Sequence, residues 1–543
     1  MKRILPLLLA CLFLFGCAAP QTQDPTTGVT APAVTKPVVS GVDAPVPYAT
    51  RFQQEVHILL SDAGIQVDGG GETDAVYTSH DIIYYEDRTT YDSGNPYGEG
   101  EASDRHSADE AAAHTVVNIT APGAYRVTGK LSKGQIRIDL GEAAYDDPNA
   151  VVELILENAD ITCTVAPAIL FRNVYECDGD WTVENAHADV DTSQAGANLI
   201  LEGSNTVTGS HVAKIFKDKE GEKKLWKQDG AIYSYMSMNV YGPGSLALTA
   251  DNEGMDTELH LTINGGDIAI RSQNDGINTN EDGVSVTTIN GGNVHIIAGL
   301  GTEGDGIDSN GYLVINGGTV VASANPMLDA GLDSDLGSFI NGGLVAAFGS
   351  VMDWPETDSR QVTMNLQFAV YQKNTTALAV TRPDGTVVFA YDPNADEVLG
   401  ENRRRFQGAI LSCPNFQVGE SYHVYLDGVL TGEEMDGLYD VTTVTAYAPG
   451  IQLQYTGTDV RHHPDDKEGK RPDKKEEGFP GGEKPSMPEG ERPAEPGGNP
   501  GGDKIPEDGM APGGLLPGWN TQSSTEFFLQ DMVNFFSGLT AAK

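Results

Sequence analysis

Apolar positions fall into register most clearly between Leu259 and Ser350, where Ile-Asn-Gly-Gly recurs at Ile263, Ile289, Ile315 and Ile340 with offsets of 26, 26 and 25 residues. Five places after each first Ile stand Ile268, Val294, Val320 and Val345, and two further on stand Ile270, Ile296, Ala322 and Ala347. That period of two predicts a short strand in every copy. A Gly-aliphatic-Asp/Asn step precedes each copy, with Met255, Ile277, Ile307 and Leu332 lying 8, 12, 8 and 8 residues before the next Ile, so a second strand is fixed in phase. Units of about 25 residues with strands, glycine corners and no helical period cannot close a core alone. They must stack as coils. The expectation is an all-β protein built on a parallel β-helix, a β-solenoid, followed by a small β-sandwich and a disordered tail. Equivalent residues of stacked coils, roughly 4.8 Å apart, then form columns along the axis.

Weaker strands extend the pattern upstream. Thr115-Val-Val-Asn-Ile-Thr-Ala-Pro-Gly-Ala-Tyr-Arg-Val-Thr-Gly alternates and turns at Pro122-Gly123, and further strands are predicted at Gln135–Leu140, Val151–Leu156 and Asn198–Leu201. A basic stretch from His211 to Lys227 reads as a loop leaving the coils. After Trp354-Pro355 the period is lost, and short alternating strands punctuated by Pro383-Asp-Gly and Asp427-Gly suggest the sandwich. The division expected is a signal over residues 1–17, a tether and N-terminal segment over 18–79 and the β-helix over 80–355. The sandwich follows over 356–458, a Pro/Gly/charged linker over 459–520 and an apolar segment over 521–543. A strand is expected at Asp81–Glu86; for the last apolar segment, helix and strand stay equally open.

Charge changes the picture. The formal net charge is −44, which argues against nucleic acid as a partner. The tail Arg461–Asp508 holds 13 acids and 9 bases, so the excess sits on the part that folds. Packed like charge opposes compactness unless cations neutralise it. Three polar columns follow from aligning the Gly-aliphatic steps. Two residues before the aliphatic stand Glu253, Asp275 and Asp305, broken by Ala330; one after stand Asp256, Asn278, Asp308 and Asp333; three after stand Glu258, Asn280, Asn310 and Asp335. Carboxylates one coil apart repel by roughly 3 to 4 kcal/mol per pair at an effective dielectric near 20. Calcium, which takes about six to eight oxygens, suits such columns, and the oxygen-only set excludes zinc and copper. The alternative is that these Asp and Asn residues only cap turns. The metal candidates are Glu253, Asp256, Asp275, Asn278, Asp305, Asp308, Asp333 and Asp335.

Lys214, Lys217, Trp226 and Tyr233 make a cationic, aromatic stretch suited to an anionic sugar polymer, and Arg271 is a further candidate for sugar contact; a merely solvated loop is the rival reading. Acidic columns on a solenoid also bring calcium-dependent pectate lyases to mind, in which a Lys or Arg beside the ions removes a proton. Between Gln228 and Ser359 there is no lysine and only Arg271 as arginine, so no catalytic residue is assigned. Met1-Lys2-Arg3 followed by the apolar run Ile4–Phe15 has the form of a secretory signal, and Leu14-Phe15-Gly16-Cys17 resembles a lipobox. The expected location is extracellular, anchored to the membrane through lipid on Cys17. In an exported chain Cys163 and Cys177 could pair, or stay buried thiols.

The lipobox, the Thr115–Leu131 segment, the Ile-Asn-Gly-Gly coils, the Gly304-Asp-Gly-Ile-Asp step and Leu411-Ser-Cys-Pro-Asn-Phe-Gln-Val-Gly-Glu-Ser-Tyr together resemble the clostridial carbohydrate-binding parallel β-helix lipoproteins, over about residues 80–455. That resemblance implies a right-handed parallel β-helix with bound calcium on the Asp and Asn steps named above, and binding of cellulose or acidic, pectin-like polysaccharide without cleavage. A polysaccharide lyase is the leading rival, and a surface adhesin or envelope spacer the third reading.

Overall fold

The computed structural model describes residues 46–86, 100–179, 181–216, 225–350, 353–396, 402–460 and 523–543. Within them the regular structure is nearly all strand. The one α-helix, Ala108–Ala112, is a single turn begun by Ser107, whose Oγ accepts from the Glu110 amide 3.2 Å away. The strand expected at Asp81–Glu86 is not one, and that stretch lies extended without a ladder partner.

The repeat generates three parallel ladders, because each turn of chain gives one strand to each. The first ladder runs through Thr115–Ile119, Gly134–Asp139, Ile169–Asn173, Gly230–Ser234, Glu253–Thr257, Ile277–Thr279 and Ile307–Ser309, and Val76–Ser79 adds an antiparallel edge. Its register matches the sequence alignment, with Met255 opposite Ile277 and Ile277 opposite Ile307; an isolated bridge joins Ile307 to Leu332. The second ladder passes through Ala197–Glu202, Met238–Tyr241, Leu261–Ile263, Val286–Ile289, Tyr312–Ile315 and Gly337–Ile340. The third passes through Ser204–Gly209, Ser245–Ala250, Asp267–Ser272, Asn293–Ile297, Thr319–Ser323 and Leu344–Gly349.

Between the ladders lies one continuous apolar core that includes Ile232, Met255, Ile277 and Ile307 from the first, Ile263, Ile289 and Ile315 from the second, and Ile268, Val294 and Val320 from the third. Each fully buried aliphatic side chain contributes about 1.5–3 kcal/mol relative to exposure. The Asn of Ile-Asn-Gly-Gly serves the corner. Asn290 Nδ2 donates to Asn264 Oδ1 at 2.9 Å, Asn316 to Asn290 at 2.8 Å and Asn341 to Asn316 at 2.9 Å, an amide ladder stitching four turns. The second glycine follows from close approach: Gly292 has φ +87°, and a Cβ there would stand 2.7 Å from the Gly266 carbonyl oxygen.

Two features upstream have no counterpart in the repeat. Glu55–Leu60 already pairs in parallel with Gly123–Leu131. Ahead of it, Val46–Phe52 lies across the second ladder, with Tyr48 packed on Tyr241 at 4.7 Å. Buried Glu153 pins it, accepting from the Arg51 amide at 2.7 Å and from Thr50 Oγ1 at 2.6 Å.

Beyond Gly349 the pairing turns antiparallel. Phe406–Ser412 joins Leu344–Gly349 to Thr363–Gln372, and the latter pairs in parallel with Val533–Ala541. Leu378–Thr381, Val387–Tyr391, Ser421–Leu426 and Ile451–Gln454 form the facing sheet. Phe348, Phe389, Phe406, Phe416, Tyr422, Phe527 and Phe536 fill the space between. The last apolar segment is therefore strand, and its buried Phe527, Phe536 and Leu539 complete a sandwich-like core. Residues 461–522, where the disordered linker is expected, lie outside the described residues, as do Cys17 and Lys217. Cys163, Cys177 and Cys413 are free thiols, and burial pushes Cys163 up to about 12. Among the described residues no helix is long and apolar enough to cross a membrane.

Candidate functional site

The first ladder carries the acids. Met255, Ile277 and Ile307 turn into the core, so their successors Asp256, Asn278 and Asp308 turn out of the sheet and lie opposite one another in register. Tyr233 occupies the same place one turn earlier, opposite Asp256. The columns are thereby real neighbours rather than an alignment.

They are densest at the turn where Asp229 meets Glu253 and Asp256. Oxygens of these three carboxylates all lie within 4.8 Å of one another. Glu253 is 5% exposed and Asp256 fully buried. Asn278 Nδ2 donates to Glu253 Oε1 at 3.2 Å, and Asn280 Nδ2 donates to Asp256 Oδ1. Three buried oxygens nevertheless have no partner: Glu253 Oε2, Asp256 Oδ2 and Asn278 Oδ1. Leaving a buried acceptor unmade costs about 1–3 kcal/mol, more when it is charged. Buried hard oxygens with free lone pairs beside a carboxylate cluster are the donors a calcium ion takes, so these residues fit that ion. Turn capping, the alternative, is what Asp275, Asp305 and Asp333 do, accepting from the amides of Asp305, Ala330 and Ser334.

Electrostatics agree. Burial first, then Asp229, raises the Glu253 carboxyl; burial first, then Glu253, holds Asp256 well above the usual range. Further along, burial first, then Glu253, Asp308 and Asp305, raises Asp275. Burial lifts Asp305 to about 8, against a 2.6 Å hydrogen bond from the Ala330 amide. Asp308 rises to about 7 through burial, then Asp333, Glu253 and Asp335. Asp333 caps the Ser334 amide at 2.9 Å, and Asp335 follows at the exposed end of the column.

Lys227, the last residue of the basic stretch and expected in a loop leaving the coils, stands in the same place. Its Nζ lies 3.1 Å from Asp229 Oδ2 and donates to Asn280 Oδ1 at 2.6 Å. Burial alone would lower the ammonium, but Asp229, Asp256, Glu258 and Glu253 outweigh it and hold it well above its ordinary value. Depletion of lysine beyond Gln228 is therefore no ground for calling the acids lysine-free. Asp229 was also missed, because the insertion between His211 and Gln228 breaks the period just before it.

The cationic, aromatic candidates separate. Val212–Phe216 and Leu225–Gln228 form an antiparallel hairpin that holds the backbone of Lys214 and Trp226. Tyr233, expected to offer a ring to sugar, is fully buried, edge-on to Tyr235 at 5.1 Å, with its hydroxyl donating to Glu258. It has no free face. Arg271 sits in the third ladder, opposite Thr249 and Ile297, whereas Asp256, Asn278 and Asp308 rise from the first.

Residues 113–352 match the profile of a family described as carbohydrate-binding domain-containing protein. A carbohydrate-binding domain-containing protein of Acetivibrio thermocellus is 28% identical over 157 residues, which are 29% of this chain. The match spans 45% of that relative's own length. A solved polysaccharide lyase-like protein from C. thermocellum aligns at 19% identity over 53% of this chain and 93% of its own, with a TM-score of 0.29, too low to carry an argument. The acid-bearing turns thus fall inside the stretch that is similar to a carbohydrate-binding family.

Proposed function

We propose that the chain is a calcium-loaded carbohydrate-binding protein, and that its three ladders are the faces of a right-handed parallel β-helix. The observation that carries the reading is the set of buried, partnerless oxygens on Glu253, Asp256 and Asn278 beside Asp229. These residues would hold the ion, with Asp275, Asp305, Asp308, Asp333 and Asp335 continuing the acid surface. A bound divalent ion supplies positive charge at a surface that otherwise repels anionic sugars. The chain's own part is to position the oxygens in a dry wall and to present the acid edge to the polymer. We propose cell-wall-type polysaccharide as the partner, acidic pectin-like sugar before cellulose. Location outside the cell, through the Ile4–Phe15 run and a lipid on Cys17, belongs to the same proposal.

One observation favours a second reading, a polysaccharide lyase: Lys227 lies beside the acids, where such chemistry would want a base. The carboxylates around it hold its proton in place, so we read the protein as binding without cleaving. The test is pull-down on polygalacturonate beads and on cellulose, with calcium and with chelator, alongside ultraviolet absorbance of unsaturated products. Retention that needs calcium and yields no product supports binding. Product growth would establish the lyase, and no retention on either polymer would remove the reading.

A further inference from the structure

We infer that Lys227 is a tethered competitor for the divalent-cation site, an affinity-setting residue that couples the loading of that site to the pairing of Val212–Phe216 with Leu225–Gln228. The inference rests on the cation reading above and goes beyond it. Its ground is geometry. Lys227 Nζ shares the Asp229 carboxylate at 3.1 Å and reaches Asp256 through one amide, since Asn280 takes the ammonium on Oδ1 at 2.6 Å and donates to Asp256 from Nδ2. Its side chain is only 16% exposed. Asp229 is therefore claimed twice, by the ammonium and by the oxygen cluster it shares with Glu253 and Asp256.

Four carboxylates, Asp229, Glu253, Asp256 and Glu258, act on this one ammonium. Without a metal the lysine is their covalently tethered counter-ion, present at the high effective concentration that tethering gives. A divalent ion arriving among the same oxygens meets a like charge within a few ångströms, at roughly the separations where such repulsion is strongest. The ammonium must withdraw. Where it withdraws is set by its own strand. Leu225–Gln228 pairs with Val212–Phe216 in a two-stranded sheet separate from the ladders, so displacement of Lys227 loosens the last pairings of that hairpin. The rival is a permanent Lys227–Asp229 pair, with the ion held by Glu253, Asp256 and Asn278 beside it and no coupling.

The experiment is calorimetric titration of the full chain with calcium chloride, using wild type, Lys227→Gln and Lys227→Arg, with amide exchange of residues 212–228 followed with and without calcium. Expected are binding at least about tenfold tighter in Lys227→Gln, where the competing charge is gone, near wild-type affinity in Lys227→Arg, and faster hairpin exchange in wild type on calcium saturation. Equal or weaker binding by Lys227→Gln, with clear heat in wild type, would overturn the competitor role and leave the metal reading intact. Flat heat in all three chains would overturn the metal reading itself. If Lys227→Gln does not fold, wild-type exchange decides: hairpin amides that do not respond to calcium overturn the inference.

Discussion

Asp308→Asn is expected to change the sign of its effect with calcium. In the metal-free chain burial, then Asp333, Glu253 and Asp335, lift the Asp308 carboxyl from 3.8 to about 7. The folded value lies above the unfolded one, so the stability this group contributes is fully present below pH 3.8 and is lost as pH rises through about 7. At about 1.4 kcal/mol per unit, a rise of roughly three units sets a ceiling of ~4 kcal/mol. Relaxation of neighbours should leave about 1–3 kcal/mol of it measurable. Asparagine keeps the shape and loses the charge. With chelator near about pH 8, the variant should therefore unfold at higher urea than wild type, and the difference should vanish near about pH 4. With saturating calcium the order should reverse, because a carboxylate that repels its neighbours becomes an oxygen donor. Urea titrations followed by circular dichroism at both pH values, with and without calcium, read all four conditions. A variant less stable than wild type in chelator at the higher pH would refute the charge-repulsion argument, and failure of calcium to reverse the order would place the ion away from Asp308.

Asn290→Ala removes the amide that donates to Asn264 and accepts from Asn316, so thermal melting should show a loss of about 1–3 kcal/mol. Ile277→Ala opens a cavity in the fully buried row between Met255 and Ile307 and should cost about 2–5 kcal/mol, which denaturant titration would register. Truncation after residue 522 removes Phe527, Phe536 and Leu539 from the sandwich core, and exchange of the Thr363–Gln372 amides should then rise sharply; unchanged protection there would mean that the final strand is dispensable. Chelator without other change should lower the melting temperature of the full chain, and an unshifted melt would count against a structural ion.

The coil register was legible because four copies at nearly constant spacing make Met255, Ile277, Ile307 and Leu332 equivalent, and their successors inherit a common face. The same logic failed where spacing is irregular. The stretch between His211 and Gln228 interrupts the coils just before Gly230–Ser234, and it hid that Asp229 and Lys227 meet the acids in three dimensions. Glu55–Leu60 escaped notice because its partner Gly123–Leu131 lies about 70 residues on, and no copy of the repeat links the two in sequence. The final segment carried enough apolar residues to demand burial, but Phe527–Phe536 fits a helical stripe as well as a strand, and only its pairing with Thr363–Gln372 decides. Tyr233 looked available for sugar because aromatic residues beside a basic run suggest a surface, whereas its place in the first ladder puts it under Glu258.

The pairing of Leu344–Gly349 with Phe406–Ser412 bears on what ends the stack. A stack of parallel strands ends in a row of open amides and carbonyls, a template onto which the first turn of another molecule could add, and another after that. Reversing strand direction at the last turn plugs this template with a segment of the same chain, one whose own far edge is occupied by Thr363–Gln372. The sandwich is thus a stopper as much as a module: cut away, the stack would become a growing end, and the outcome would be filaments rather than a shorter soluble protein.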